Sequence, residues 1–158
     1  MEQPQYNMLT RQKVEGEFLR LYEEVGLGLT IFSPLKIGIL TGKYNDEIPK
    51  DSRLGVSTNP FVKRMNESFG SEDWKKGIET VKNLKPIADK LGVSQSNLAM
   101  AWVLKNKNVS SAITGASRVE QVYETVKALE VVKLLTDEVM EEIDGVLGNK
   151  PAALIRRF

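Results

Sequence analysis

Apolar positions along the chain keep two rhythms. Residues 27–32 form a short, near-continuous apolar run, as a strand covered on both faces should. A second run, 111–114, and a weaker one at 5–8 are read as further short strands. Between them the spacing becomes helical. Val14, Phe18, Leu21, Tyr22 and Val25 share one face of a helix over about 11–25, closed by Gly26 and Gly28. Trp74, Ile78, Val81, Leu84 and Ile87 mark a helix over about 72–91, and Pro86 inside it predicts a kink or split. Ser94 is placed to cap the next helix, which carries Leu98, Ala101, Trp102 and Leu104. Ser117-Arg118-Val119-Glu120 matches a capping box, and Val119, Val122, Tyr123, Val126 and Leu129 form the predicted core face of the helix it opens. A last helix runs over about 137–147, with Val139, Met140, Ile143 and Leu147 inward.

Strands alternating with helices predict βαβ units and a parallel sheet, an α/β fold in a single domain. Residues 45–70, rich in Asp, Asn, Pro, Ser and Gly, read as a long loop of the functional or mobile kind. Composition narrows the chemistry. The 158 residues contain no Cys and no His, which excludes disulfides, thiolate catalysis, the usual zinc sites and a Ser-His-Asp triad. With 22 basic and 21 acidic residues the formal net charge is +1, so there is no electrostatic case for nucleic acid or an anionic membrane. The one basic cluster, Arg156-Arg157, reads as a solvated tail. The first residues lack the basic start and apolar core of a signal peptide, and no apolar stretch reaches a membrane span, so a soluble cytoplasmic protein is expected.

The candidate chemistry gathers where strands end. Loops at the carboxyl ends of parallel strands are where α/β proteins bind ligands. The run Phe32-Ser33-Pro34-Leu35-Lys36-Ile37-Gly38-Ile39-Leu40-Thr41-Gly42-Lys43-Tyr44 leaves the 29–32 strand, carries two glycines and delivers Lys43, with Arg53 beyond it. Gly115-Ala116-Ser117 turns the chain from the 111–114 strand into a helix, whose free N–H groups and dipole favour an anion. Glycine turns and Ser caps serve many helices with no ligand, and alone this turn reads that way. Lys43 and Arg53 are by default solvated loop cations. Their place on the same sheet end as the Gly115 turn sets phosphate binding beside that reading. Trp74 and Trp102 read as core residues. Nothing near Tyr6 or Tyr44 would lower a phenol pKa, and the acidic groups of 137–144 read as a solvated helix face.

The run F-S-P-L-K-I-G-I-L-T-G-K-Y, with I-P-K-D-S-R behind it, resembles the seventh-strand loop of the aldo-keto reductases. The branch it resembles contains the voltage-gated potassium channel β subunits. I-T-G-A-S-R-V-E-Q-V-Y-E is similar to that family's eighth strand and cofactor helix, E-I-D-G-V-L-G-N-K-P to its C-terminal helix, and Q-P-Q-Y-N-M to its sixth strand. The resemblance implies the C-terminal part, about strands 6–8 with their helices, of a (β/α)8 barrel over 1–158, and it implies NADP(H) as cofactor. Carried over, Gln3 would lie beside the nicotinamide. Phe32, Ser33, Pro34 and Leu35 would line the nicotinamide and pyrophosphate path. Lys43 and Arg53 would meet phosphates, Gly115, Ser117 and Gln121 the adenosine phosphate, and Glu124 the adenine. Phe32 stands where the channel subunits have Trp, and Thr125 where Asn is usual.

The family's catalytic Asp, Tyr, Lys and His belong to earlier strands, and no catalytic residue is assigned in this chain. The resemblance therefore implies the cofactor-clamping part of an NADPH-dependent reductase of aldehydes and ketones, lacking catalysis by itself. Alternatives are a regulatory subunit with a channel-type partner and a truncated fragment without function of its own. Strands taken out of a barrel expose sheet edges and apolar surface, so pairing with another half-barrel or a second copy is expected.

Overall fold

The computed structural model describes residues 1–152, and the Arg156-Arg157 cluster lies outside them. Its centre is β1 (Leu29–Phe32), paired in parallel with β2 (Val109–Ile113). Leu29 and Ile31 are fully buried, as the apolar run predicts. Residues 2–6 lie along the other edge of β1: Thr30 N donates to Glu2 O (2.9 Å), Phe32 N to Pro4 O (3.0 Å) and Tyr6 N to Phe32 O (3.3 Å). The expected 5–8 strand thus pairs earlier, at Glu2 and Gln5, and the chain already turns at Asn7, which bridges Thr10. The third expected strand starts two residues sooner than its apolar run, at Val109.

Around this sheet lie α1 (Leu19–Val25), α2 (Arg53–Val56), α3 (Pro60–Glu67), α4 (Glu72–Lys90), α5 (Gln95–Lys105), α6 (Val119–Val126), α7 (Ala128–Val131) and α8 (Asp137–Leu147). Every residue of α5 from Asn97 to Val103 is buried, because this helix sits between β2 and α7. Ser94 caps it as expected, accepting from Asn97 N at 3.2 Å. A helix apolar on all sides is a core helix.

Several expectations are corrected. The stretch 45–70 is not one long loop: it holds α2 and α3. The residues that read as loop are their caps. Ser52 Oγ accepts from Gly55 N (3.2 Å), and Asn59 Oδ1 from Phe61 N (2.9 Å), with Pro60 in the first turn where its missing N–H costs nothing. Pro86 does not split α4, which runs through it. Both Pro86 and Lys82, whose carbonyl loses a donor, are exposed, so the missing bond does not leave a buried acceptor. The 11–25 helix opens as a π-helical turn at Lys13–Glu17 before α1, and the register slips. Val14 is buried, but Leu21 and Val25 are exposed.

The largest correction concerns α6. The expected core face is solvent-exposed: Val119 64%, Val122 52%, Tyr123 70% and Val126 57% on α6, and Leu129 57% on α7, where the one expected helix breaks at Lys127. The amphipathic spacing is real, but no described residue covers the face. Nor is Ser117 the cap, a place taken by Arg118; Gln121 Oε1 accepts instead from Ser117 N (2.8 Å) and Ser117 Oγ (3.3 Å).

Asp144 also leaves the expected solvated face. Its carboxylate accepts from Arg11 Nη1 (2.7 Å) and Lys150 Nζ (2.8 Å). Burial pushes the carboxyl up, but the hydrogen bonds and charges of Lys150 and Arg11 outweigh it and hold the group below its usual value. A depressed folded-state value means stability that is present above the unfolded pKa and lost as pH falls through the folded one. Urea midpoints should therefore drop as pH is lowered from about 4, and Asp144→Asn should flatten part of that drop. An unchanged slope in the variant would show that the carboxylate is paired no better folded than unfolded.

Candidate site at the carboxyl ends of the parallel strands

Because the strands are parallel, their following loops emerge at one end. Phe32 pairs with Ile113, so Ser33 and Thr114 leave the sheet side by side. This register brings the 33–44 loop next to the 114–118 turn. Gln5 pairs with Phe32 on the other side and adds the 7–10 turn to the same end. Gln3 lies two residues back along the first extended segment, exposed.

The 33–44 loop is tightly wound. Ser33 (φ 57°), Lys36 (φ 48°) and Ile37 (φ 57°) are left-handed non-glycine residues, joined by Gly38 (φ 96°) and Gly42 (φ 81°). A β-branched residue such as Ile37 takes this conformation at a cost of about 1–3 kcal/mol, which the surroundings must impose. They do so from the 7–10 turn. Asn7, fully buried, donates from Nδ2 to Ser33 O (3.0 Å), and Lys36 Nζ donates to Thr10 Oγ1 (2.9 Å). At the two glycines it is the positive φ that disfavours a side chain, since the atoms a Cβ would meet are the ends of flexible side chains. A Cβ on Gly38 would come 2.9 Å from Lys43 Cε, and one on Gly42 2.5 Å from Gln95 Oε1.

Within this loop Pro34 is buried, Leu35 half-buried and Phe32 43% exposed at the sheet end. Lys43 is exposed, with Nζ 4.9 Å from the Tyr44 ring centre. Arg53 begins α2, also exposed. Neither cation has a carboxylate in ion-pair contact among the described residues. Gly115 is exposed, with open space where a Cβ would stand.

Glu124 is set apart from that rim. Its Oε1 accepts from Ser94 Oγ (2.7 Å) and Asn97 Nδ2 (2.9 Å), and Oε2 from Lys127 Nζ (3.0 Å). The Ser94 hydroxyl, then Lys127, hold this carboxyl below its ordinary value. Its carboxylate already has three donors, so an adenine amino group would be a fourth. Glu124 lines an open cleft of about 590 Å³ with Leu91, Ser94, Asn97 and Val131, and none of the other expected site residues does.

A second cleft, of about 520 Å³, is lined by Tyr6, Arg11, Glu15, Trp102 and Asp144, which sequence reasoning did not single out as a site. Arg11 is buried, its Nη2 meeting Glu15 Oε2 at 2.6 Å. The spacing Arg11–Glu15 was a readable helical pair; Asp144 was not. Tyr6 Oη donates to Glu15 Oε1 (2.6 Å) and accepts from Asn106 Nδ2 (3.2 Å). Burial, then the Glu15 charge, pushes its phenol well above the ordinary value. Tyr44 is fully buried, its hydroxyl accepting from Leu54 N (3.4 Å). Among the described residues no cluster of carboxylates could hold a metal ion, and no helix is long and apolar enough to cross a membrane.

Comparison with known proteins agrees with the strand-end motifs. The model of the aldo/keto reductase family matches residues 1–147. A probable voltage-gated potassium channel subunit beta of Oryza sativa subsp. japonica is 49% identical over 152 residues, covering 96% of this chain and 44% of the relative. One of the same name from Arabidopsis thaliana gives 49% over 152 residues, with the same shares. A putative voltage-gated potassium channel subunit beta of Schizosaccharomyces pombe is 44% identical over 150 residues, 95% of this chain and 42% of that one. The chain thus spans less than half the length of these relatives. With the family match over nearly its whole length and the motifs in order along it, this chain belongs to the aldo/keto reductase family.

Proposed function

We propose that this chain is the NADP(H)-binding part of an aldo/keto reductase barrel, comprising about its strands 6–8, and that it does not reduce carbonyl substrates by itself. The observation that carries this reading is the Phe32–Ile113 register, which sets the 33–44 loop and the Gly115–Ser117 turn on one rim. The cofactor, when bound, supplies a hydride for the carbonyl carbon of an aldehyde or ketone. The residues here bind and orient it. Phe32 offers a ring to the nicotinamide with Gln3 beside it, and Ser33, Pro34 and Leu35 follow the pyrophosphate. Lys43 and Arg53 supply unpaired positive charge for phosphates. Gly115, Ser117 and Gln121 hold the adenosine phosphate, and Glu124, apart from that rim, would accept the adenine amino group only as a fourth donor. Reduction also needs a proton for the carbonyl oxygen. Tyr6 and Tyr44 are poor donors for it, since both hydroxyls are buried and engaged.

Fluorescence titration tests the reading. NADPH should bind the 158-residue chain more tightly than NADH, and Arg53→Ala should weaken NADPH by about 10–100-fold, the worth of one charged hydrogen bond. Equal affinity for both nucleotides, or none for either, would overturn it.

A second reading makes the chain part of a cytoplasmic interaction subunit, with nucleotide binding as its signal. The names of its relatives support it. The occupant we assign to the uncovered face of α6 and to the edge of β2 that has no strand partner among the described residues is the remaining parallel strands of a family barrel; a second copy and a channel-type membrane partner are the other candidates. Retention of a channel's cytoplasmic domain on the immobilised chain, without any carbonyl-dependent loss of NADPH absorbance, would favour the subunit.

A further inference from the structure

The cleft beside Trp102, of about 520 Å³, lies apart from the strand-end rim, and no residue assigned to the nucleotide lines it. That volume suits a small molecule. One wall is an acidic stripe of α8. Asp137, Glu141 and Asp144 fall at i, i+4 and i+7 and so share a helix face. Asp144 is neutralised by Arg11 and Lys150. Asp137 and Glu141 have no ion-pair partner among the described residues. Lys105, at the end of α5, lines the same cleft and is likewise unpaired among them. Two carboxylates and one ammonium are thus left over. An acidic stripe alone is a solvated helix face, and no cluster of carboxylates among the described residues could hold a metal ion. Trp102 sets this cleft apart. It is 2% exposed, it lines the cleft, and its Nε1 has no hydrogen-bond partner among the described residues. A buried N–H without an acceptor is costly, and a ligand that supplies one relieves the cost. Arg11 covers the ring face, with Cζ 5.0 Å from the centre, so what the indole offers a ligand is its edge, where Nε1 lies.

We infer that this cleft binds a small organic dication that also carries a carboxylate, the class of the basic amino acids. Its two cationic ends would face Asp137 and Glu141. Its carboxylate would accept from Trp102 Nε1 and lie beside Lys105. The charges match, two positive and one negative on the ligand against two negative and one positive left over in the cleft. Arg11 and Asp144, spent on each other, shape the walls rather than bind. The site is independent of the nucleotide reading of the rim. The bland alternative is a cleft filled by water, with its charges merely solvated.

Calorimetric titration of the 158-residue chain with L-arginine, agmatine and L-citrulline separates these. Agmatine lacks the carboxylate and citrulline the side-chain charge, so arginine should bind more tightly than either by about tenfold or more, the worth of a charge-assisted contact. Asp137→Asn and Glu141→Gln should each weaken arginine by about tenfold. Both residues are exposed, so neither variant should move the urea midpoint appreciably. Glu142→Gln, on α8 but outside the cleft and paired with Lys90, should leave arginine within about twofold, which separates the site from a general attraction to acidic surface. Emission gives a second readout. Trp74→Phe leaves Trp102 as the one indole of the chain's two, and arginine, but not agmatine, should shift its emission to the red as Nε1 gains an acceptor. Binding no tighter than that of agmatine or citrulline, an affinity unchanged in Asp137→Asn and Glu141→Gln or lowered equally by Glu142→Gln, or an unmoved Trp102 emission would overturn the inference. So would the absence of any arginine binding, which would leave the cleft to water.

Discussion

Arg11→Ala should lower the stability of this chain by about 3–5 kcal/mol, the loss seen when one member of a buried ion pair is removed. Arg11 is 5% exposed and all three of its guanidinium nitrogens are used. Nε and Nη2 grip Glu15 at 3.0 and 2.6 Å, while Nη1 reaches Asp144 at 2.7 Å and Asn149 Oδ1 at 3.4 Å. Its carbon stands 5.0 Å from the Trp102 ring centre, and Tyr6 packs on that ring at 5.1 Å. Removing Arg11 leaves Glu15 with only the Tyr6 hydroxyl and Asp144 with only Lys150 as side-chain partners among the described residues, both carboxylates about one-fifth exposed, and unroofs a buried indole. It also loosens the chain's last described turn, where Asn149 donates to Met8 O at 2.8 Å. Arg11→Lys keeps the charge but cannot fork, so it should recover only part of the loss. Urea unfolding of both variants measures this. A loss below about 1 kcal/mol would mean that the cluster behaves as a surface pair, screened by water.

How much of this could be read from the sequence follows from how local each cause is. The strand at 29–32 and the helices α4, α5 and α8 were legible because their own periodicity states their burial, whereas the strand expected at 111–114 forms at 109–113 with Ser110, Ser111 and Ile113 exposed. The helices α2 and α3 were not, because Ser52, Asn59 and Pro60 serve loops and helix starts alike. The rim was legible as a motif, since parallel strands force their loops to one end. The burial of Lys36 was not, because it depends on the 7–10 turn, some 26 residues earlier in the chain. The Arg11–Asp144 contact spans 133 residues and leaves no local signal at all. The α6 face is the instructive failure. Its pattern correctly marks an apolar stripe, but a pattern states what a face should be packed against, not whether that neighbour is present.

Covering that stripe should be worth more than any single contact in the candidate site. Val119, Val122, Tyr123, Val126 and Leu129 are each at least 52% exposed, so each has about half of its burial free energy still to gain. At roughly 1 kcal/mol apiece this is about 5 kcal/mol, before the cost of association and without the edge hydrogen bonds of β2. The occupant proposed above, the parallel strands that would complete a family barrel, is favoured because β2 is itself parallel to β1 and its outer edge has no strand partner among the described residues. Adding in trans a polypeptide carrying the part of the rice relative that this chain does not match should therefore raise the urea midpoint of this chain. It should also quench the fluorescence of a hydrophobic dye bound to the chain alone. Val122→Asp sits on the exposed face, so it should shift the isolated chain's stability by no more than about 0.5 kcal/mol. It should nonetheless abolish both effects of the added strands, since a buried, unpaired carboxylate costs several kcal/mol. A dimer that Val122→Asp dissociates would put a second copy in that place. A sharp melt that the added strands leave unmoved, with no dye bound, would show that the stripe needs no partner.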